Sequence, residues 1–194
     1  MPGTFFQHTP HGDIALVHLT GPDVHRALHT MATSQDAWDV QWRAMTHDLH
    51  GVDFGQGAHV LPTVTPLYSM VSAGPSSERP FMFVAPLTPG AADPLRALAA
   101  ELSGPRHADY VRAREQIGVR REAVFLESTG HGDALVVYWL ADDPAASLQQ
   151  LAASTAPFDR WLRAQLAPLH PIGLDALVAI ADDNALSAQF ARPR

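Results

Sequence analysis

The chain contains one stretch twice. Sliding the sequence along itself brings Phe5 onto Phe125, and no gap is needed until His50 falls on His170. The identities include Thr9/Thr129, His11-Gly12-Asp13/His131-Gly132-Asp133, Val17/Val137, Asp23/Asp143 and Leu28/Leu148. They continue through Ala32/Ala152, Ser34/Ser154, Asp39/Asp159, Arg43-Ala44/Arg163-Ala164 and Leu49-His50/Leu169-His170. About a third of the positions match, and repetition on that scale constrains the fold before any local pattern does. Two copies are too few for a stacked solenoid. They predict a duplicated unit whose copies pack against each other.

A length of 194 residues fits one large domain or two small ones. An apolar fraction of 46% with moderate charge is that of a globular chain. There is no Cys, which removes thiolate nucleophiles, disulfides, Cys-ligated zinc and iron–sulfur clusters. There is no Lys either, so Schiff-base chemistry and a P-loop lysine are excluded. A net charge of -7 argues against a nucleic-acid partner. The opening Met1-Pro2-Gly3-Thr4 has no basic and apolar leader pattern. No apolar run approaches the roughly 18 residues of a membrane span. The expectations are a cytoplasmic address and no membrane partner.

Phe5–Thr9 and Asp13–Leu19 read as strands joined at His11-Gly12, and Asp23 opens a helical pattern that ends at His50-Gly51. Between Val60 and Val71 a strand is interrupted by Pro62 and Pro66, which suits a sheet edge. Gly74-Pro75-Ser76-Ser77 reads as a linker. The second half is more complete. Phe81–Leu87 is an apolar strand, and Asp93-Pro94 reads as an N-cap with Pro at the first helical position. Gly104-Pro105 breaks that helix. Ala123–Thr129 and Ala134–Leu140 form a hairpin at His131-Gly132, Asp143-Pro144 starts a long helix, and Leu174–Ile180 closes with a strand. The order is β-α-β-β-α-β, the ferredoxin-like α+β arrangement. The expected divisions are a truncated repeat at 1–73, a linker at 74–80 and a complete repeat at 81–194. A sheet with helices on one face needs its other face covered, and a second similar sheet is the natural cover.

Arg121-Glu122, Thr129-x-x-Gly132-Asp133, Val137-Tyr138, Asp142-Asp143-Pro144 and Pro157-Phe158-Asp159-Arg160-Trp161 resemble small, uncharacterised members of the dimeric α/β-barrel superfamily. Antibiotic-biosynthesis monooxygenases, polyketide cyclases and haem-binding proteins are more distant members. The resemblance covers about Phe81 to Ile180, and the first copy joins it through the repeat. It implies two ferredoxin-like sheets facing each other within one chain. As a superfold it implies no single chemistry.

Strand alternation places Phe5 with Gln7, Phe125 with Glu127, and Val136 with Tyr138. If these faces line an inter-sheet cavity, Glu127, His18 and Tyr138 are the expected acid–base groups, followed by His50 and His170 at the helix ends. Gln7, Phe5, Phe125 and Trp139 are the expected substrate contacts. Each has a structural alternative; a helix C-terminus, for example, favours His through its dipole. His25 and His29 have metal-ligand spacing, but the second copy carries Ala145 and Gln149 there, and no metal is expected. Asp39/Arg43 and Asp159/Arg163 read as ion pairs on solvated helix faces. Arg112, Arg114, Arg120 and Arg121 form a loose basic cluster, either a solvated edge or a clamp for a carboxylate.

Three functions remain open on the sequence. One is an enzyme acting on an apolar or aromatic molecule between the sheets, by cofactor-free oxygenation or acid–base cyclisation or isomerisation. A second is a haem protein. A third is a non-catalytic binding or assembly protein. A small organic molecule is the expected partner, and a homodimer is compatible with each.

Overall fold

A computed structural model describes residues 3–9, 12–19, 21–50, 53, 62–72, 79–130 and 132–173. The chain divides into two compact units. One comprises Met1–Pro2 and His18–Thr63, the other Gly3–Val17 and Val64–Arg194.

The smaller unit holds helices α1 (Val24–Thr33) and α2 (Ala37–His50). Asp23 caps α1 by accepting the Arg26 amide at 2.9 Å. Ser34 turns to extended backbone and ends it. The joint between the helices is closed by Arg43, which donates from Nη1 to the Met31 carbonyl (2.5 Å) and from Nη2 to the Ser34 carbonyl (2.8 Å). Carbonyls in the last turn of a helix lack intrahelical donors, and a guanidinium fork supplies two charge-assisted ones.

The larger unit contains a two-stranded sheet of β1 (Gly3–Thr9) with β2 (Gly12–His18). It continues with β3 (Thr63–Val71), β4 (Arg79–Pro86), α3 (Ala92–Ser103), α4 (His107–Gln116), β5 (Val119–Thr129) and β6 (Gly132–Ala141). Helices α5 (Pro144–Ala153) and α6 (Pro157–Leu166) follow, with a 3₁₀ turn at Ala167–Leu169. Four strands form one sheet in the order β3-β5-β6-β4. The protein is therefore α+β. β3 carries Pro66 on an edge, where a missing amide does least harm. Gly132 opens β6 at φ 131°, a conformation that favours glycine. The strand expected at 174–180 and most of the expected linker at 74–80 lie outside the described residues.

Helices α5 and α6 meet as α1 and α2 do. Asp143 caps α5 through the Ala146 amide. Arg163 donates from Nη1 to the Leu151 carbonyl (2.6 Å) and from Nη2 to the Ser154 carbonyl (2.5 Å). These partners are the aligned equivalents of Met31 and Ser34. The expected solvated ion pairs are thus corrected. Both arginines turn to carbonyls of the preceding helix, and Asp159 is buried, accepting from Ser154 Oγ at 2.5 Å. A second correction concerns α3. It starts at Ala92 because a turn from the Ala91 amide to the Thr88 carbonyl precedes it, and Asp93 pairs with Arg96 instead of capping.

Alternation along the strands sorts side chains to two faces. Phe81, Phe83, Leu126, Val137 and Trp139 share a core with Leu95, Leu98, Leu102, Leu148 and Leu162 of the helices. On the other face, Met82 and Val136 pack with Phe5 and Leu16, flanked by Val84, Phe125 and Tyr138. Gln7 lies at the end of the described sheet. Its Nε2 donates to the Val84 carbonyl at 2.9 Å, and its Oε1 accepts the Val84 amide at 2.8 Å. The side-chain amide stands in for one residue of a further strand. Gln7→Leu, nearly isosteric, leaves both Val84 groups without these partners. It is expected to lower unfolding free energy by about 1–3 kcal/mol in urea titration; an unchanged midpoint would show that water replaces the amide freely.

Candidate functional site

A cavity of about 260 Å³ lies between the helix-covered face of the sheet and helices α3, α4, α5 and α6. Phe83, Val124, Leu135 and Val137 line it from the strands, and Leu95, Leu98, Ala99, Leu148, Leu151 and Leu162 from the helices. The lining is apolar except at a few points. This is the form small-molecule sites take, with isolated polar groups to fix orientation.

One end carries a buried polar cluster. Tyr110 and Arg114 stand one helical turn apart on α4 and face inward together. Glu122 on β5 pairs across the strands with Trp139 on β6. The Glu122 carboxylate accepts from Tyr110 Oη (2.6 Å) and Arg114 Nε (3.0 Å) at Oε2, and from Trp139 Nε1 (2.7 Å) at Oε1. Two of these partners can only donate, the arrangement of an ionised carboxylate. Arg114 Nη2 donates to Tyr110 Oη at 3.2 Å. Arg114 is 4% exposed, and its Nη1 meets no acceptor among the described residues. Burial opposes its charge, but Glu122 and Tyr110 beside it outweigh burial and raise the Arg114 pKa. Burial pushes the Tyr110 phenol well above its ordinary value. Tyr68, packed edge-on against Tyr110, is pushed up to about 12 by burial first and the negative charge of Glu122 second. Both phenols are therefore neutral hydrogen-bond groups at physiological pH.

His170 lies at the other end. Its Nδ1 is 2.9 Å from the Pro86 carbonyl. A carbonyl only accepts, so Nδ1 holds the proton and a neutral ring keeps its lone pair on Nε2. Pro86 and Phe81 belong to the same strand, and Phe81 pairs with Trp139 at the polar cluster. The two ends are thus separated by roughly 16 Å along the sheet.

Among the residues singled out from sequence, Trp139 and His170 line this cavity. Phe5, Phe125 and Tyr138 belong to the opposite face, where Tyr138 meets the Phe5 ring edge-on at 6.3 Å. Glu127 shares that face by alternation and is half-buried. Its partner Ala134 is four residues from Tyr138 on β6, so the two lie roughly 13 Å apart along the strand and do not converge. Gln7 is committed to Val84. His18 ends β2, half-buried, and His50 ends α2 with its side chain outside the described residues. Of the other polar lining residues, Arg114 enters the sequence reading only in the basic cluster and Glu122 only in the Arg121-Glu122 motif, while Tyr68 and Tyr110 carry no signal there. Glu122 faces inward with Val124 and Leu126 by alternation along β5, and a bulge at Arg120 brings Val119 to the same side.

Two buried titrations give stability opposite pH slopes. Burial lowers the His170 pKa, partly opposed by its bond to Pro86, so the unfolded chain protonates first as pH falls. Its contribution is full above the ordinary imidazole value of about 6.5 and declines as pH drops through it. Burial raises the Glu127 pKa, so the folded chain keeps that proton longer as pH rises, and its contribution declines above the carboxylate range. In urea unfolding between roughly pH 7.5 and 5.5, His170→Asn is expected to flatten the wild-type slope. Glu127→Gln is expected to stabilise more at neutral than at acid pH. Identical slopes in wild type and His170→Asn would remove His170 from the account.

No family model, no curated protein and no solved structure matches this chain. The chemistry of the cavity has to be read from its own geometry.

Proposed function

We propose that this protein is a tandem ferredoxin-like chain of the dimeric α/β-barrel type that binds a small, largely apolar organic molecule in the cavity beneath its helices. One observation carries the functional part. An apolar space of about 260 Å³ lies beneath the helices with only a few polar groups on its wall. The adjacency of β5, β6 and β4 and the repeated helix joint support the architectural part. The volume suits a molecule of one or two fused rings. Tyr68, Phe83, Tyr110 and Trp139 among the lining favour an aromatic one.

An enzymatic use of the cavity is the second reading, and His170 favours it. The ring has a fixed tautomer, a depressed pKa and a place on the cavity wall, the properties of a general base near neutral pH. Acid–base isomerisation or cyclisation is the reaction class this group would serve. Cofactor-free oxygenation through a carbanion would begin with the same proton transfer. Chemistry at Glu127 and Tyr138 would instead require a ligand where Phe5, Leu16, Met82 and Val136 are packed together. A haem does not fit the helix-side cavity. Its propionates need available cations, whereas Arg114 is held by Glu122 and Arg163 by two carbonyls.

The test is occupancy. Ala99 is buried on the cavity wall, and Ala99→Phe fills part of the space. In ligand-detected NMR, 2-methylnaphthalene is expected to bind wild type and to lose at least about tenfold in affinity in Ala99→Phe, with far-UV circular dichroism unchanged. Equal binding to both proteins places the probe elsewhere and ends this proposal.

A further inference from the structure

We infer that the ligand of the cavity carries a neutral hydroxyl on its ring system, as a phenol or an enol does, and that this hydroxyl donates to Nε2 of His170. The inference rests on the binding role proposed above and specifies the chemistry of the ligand.

The His170 ring has two polar edges, and the structure commits one of them. Nδ1 donates to the Pro86 carbonyl at 2.9 Å, so the lone pair of the neutral ring is on Nε2, across the ring. His170 lines the cavity and Pro86 does not. The edge held by Pro86 is thus turned from the space, and Nε2 is the nitrogen that reaches it. Among the described residues the ring makes no second hydrogen bond. The side-chain atoms sealed from solvent without a partner there belong to His18, Ser72, Arg114, Arg120 and Asp159, and Nε2 of His170 is not one of them. It is therefore unpartnered and accessible. Burial of the ring is still sufficient to lower its pKa, as expected for a wall group and not for one out in water. Other polar groups along the cavity are committed within the protein. Tyr110 Oη and Trp139 Nε1 donate to Glu122, Tyr68 Oη pairs with His107 Nδ1 at 3.3 Å, and both Nη atoms of Arg163 donate to carbonyls. An acceptor left over in a nearly apolar space selects a donor from the ligand. An ether or ketone would set lone pairs against that of Nε2, and an alkyl group would leave the nitrogen without a bond. An ammonium can donate but must lose its water in an apolar enclosure. A hydroxyl supplies one O–H and no charge.

The full-length protein is tested at pH 7.5 with three naphthalenes, 2-naphthol, 2-methoxynaphthalene and 2-methylnaphthalene. Each is expected to show NOEs to methyl groups of Leu98 and Val137 on the cavity wall. In nitrogen-detected NMR of the imidazoles, 2-naphthol is expected to move the His170 Nε2 resonance toward the protonated range, and 2-methylnaphthalene to leave it in place. His170→Leu is expected to lower the ratio of 2-naphthol to 2-methoxynaphthalene affinity about tenfold, and the ratio cancels any effect of the substitution common to both probes. The resonance shift is read in wild type, so it decides the matter even where the substitution prevents folding. An unmoved Nε2 resonance with 2-naphthol seated in the cavity overturns the hydroxyl inference and leaves the binding role standing. The same affinity ratio in wild type and a folded His170→Leu also overturns it. Absence of cavity NOEs for all three probes overturns both.

Discussion

The Glu122 carboxylate is the group around which the larger unit is arranged. Removing a charge from water costs several kcal/mol unless partners surround it. Glu122 meets that demand with donors from two separate elements, the α4 pair Tyr110 and Arg114 and the β6 indole of Trp139. Each partner is itself a large side chain 4% exposed or less. The network therefore sets the angle of α4 on the sheet and the rotamer of the indole together. Loss of any member would strand another, which makes this a specificity device more than a source of net stability.

The repeated helix joint shows a different use of arginine. Arg43 and Arg163 are not held by carboxylates, as their spacing from Asp39 and Asp159 suggests, but by paired carbonyls at a helix end. Both copies retain the guanidinium, the serine that breaks the first helix and the acid that caps it. The apolar positions between them diverge in burial. Leu148, Leu151 and Leu162 are buried, while their equivalents Leu28, Met31 and Trp42 are only half-buried. Local backbone demands are thus kept in both copies, and the packing around them is not.

What could be read from the sequence follows from the range of the interactions concerned. Helix caps at Asp23 and Asp143, the hairpin glycine at 132 and the edge position of β3 depend on neighbours within a few residues, and local patterns reveal them. The polar cluster depends on the approach of α4 to the strands, which leaves no periodic trace. Arg114 could be noticed only as one of several nearby arginines. Glu122 could be noticed only inside a motif. The pairing of Gln7 with Val84 joins segments far apart in the chain and was illegible for the same reason. Alternation did separate Phe125 and Tyr138 from their strand neighbours, but it could not tell which face would enclose space.

That last ambiguity determines where a ligand can go. The two faces of the sheet are filled differently. On the hairpin side, Phe5, Leu16, Met82 and Val136 interlock, with the Phe5 ring edge-on to Tyr138, so contact replaces space. On the helix side, leucines of α3 and α5 line the space with Ala99, and the cluster at Glu122 occupies one end without filling the middle. A packed interior rarely tolerates such a void unless something offsets the lost contacts. Here one end of that space is occupied by the paired Glu122 and Arg114 instead of apolar side chains. The polar network and the cavity are consequences of one choice, a charged pair placed where the chain could have packed apolar side chains.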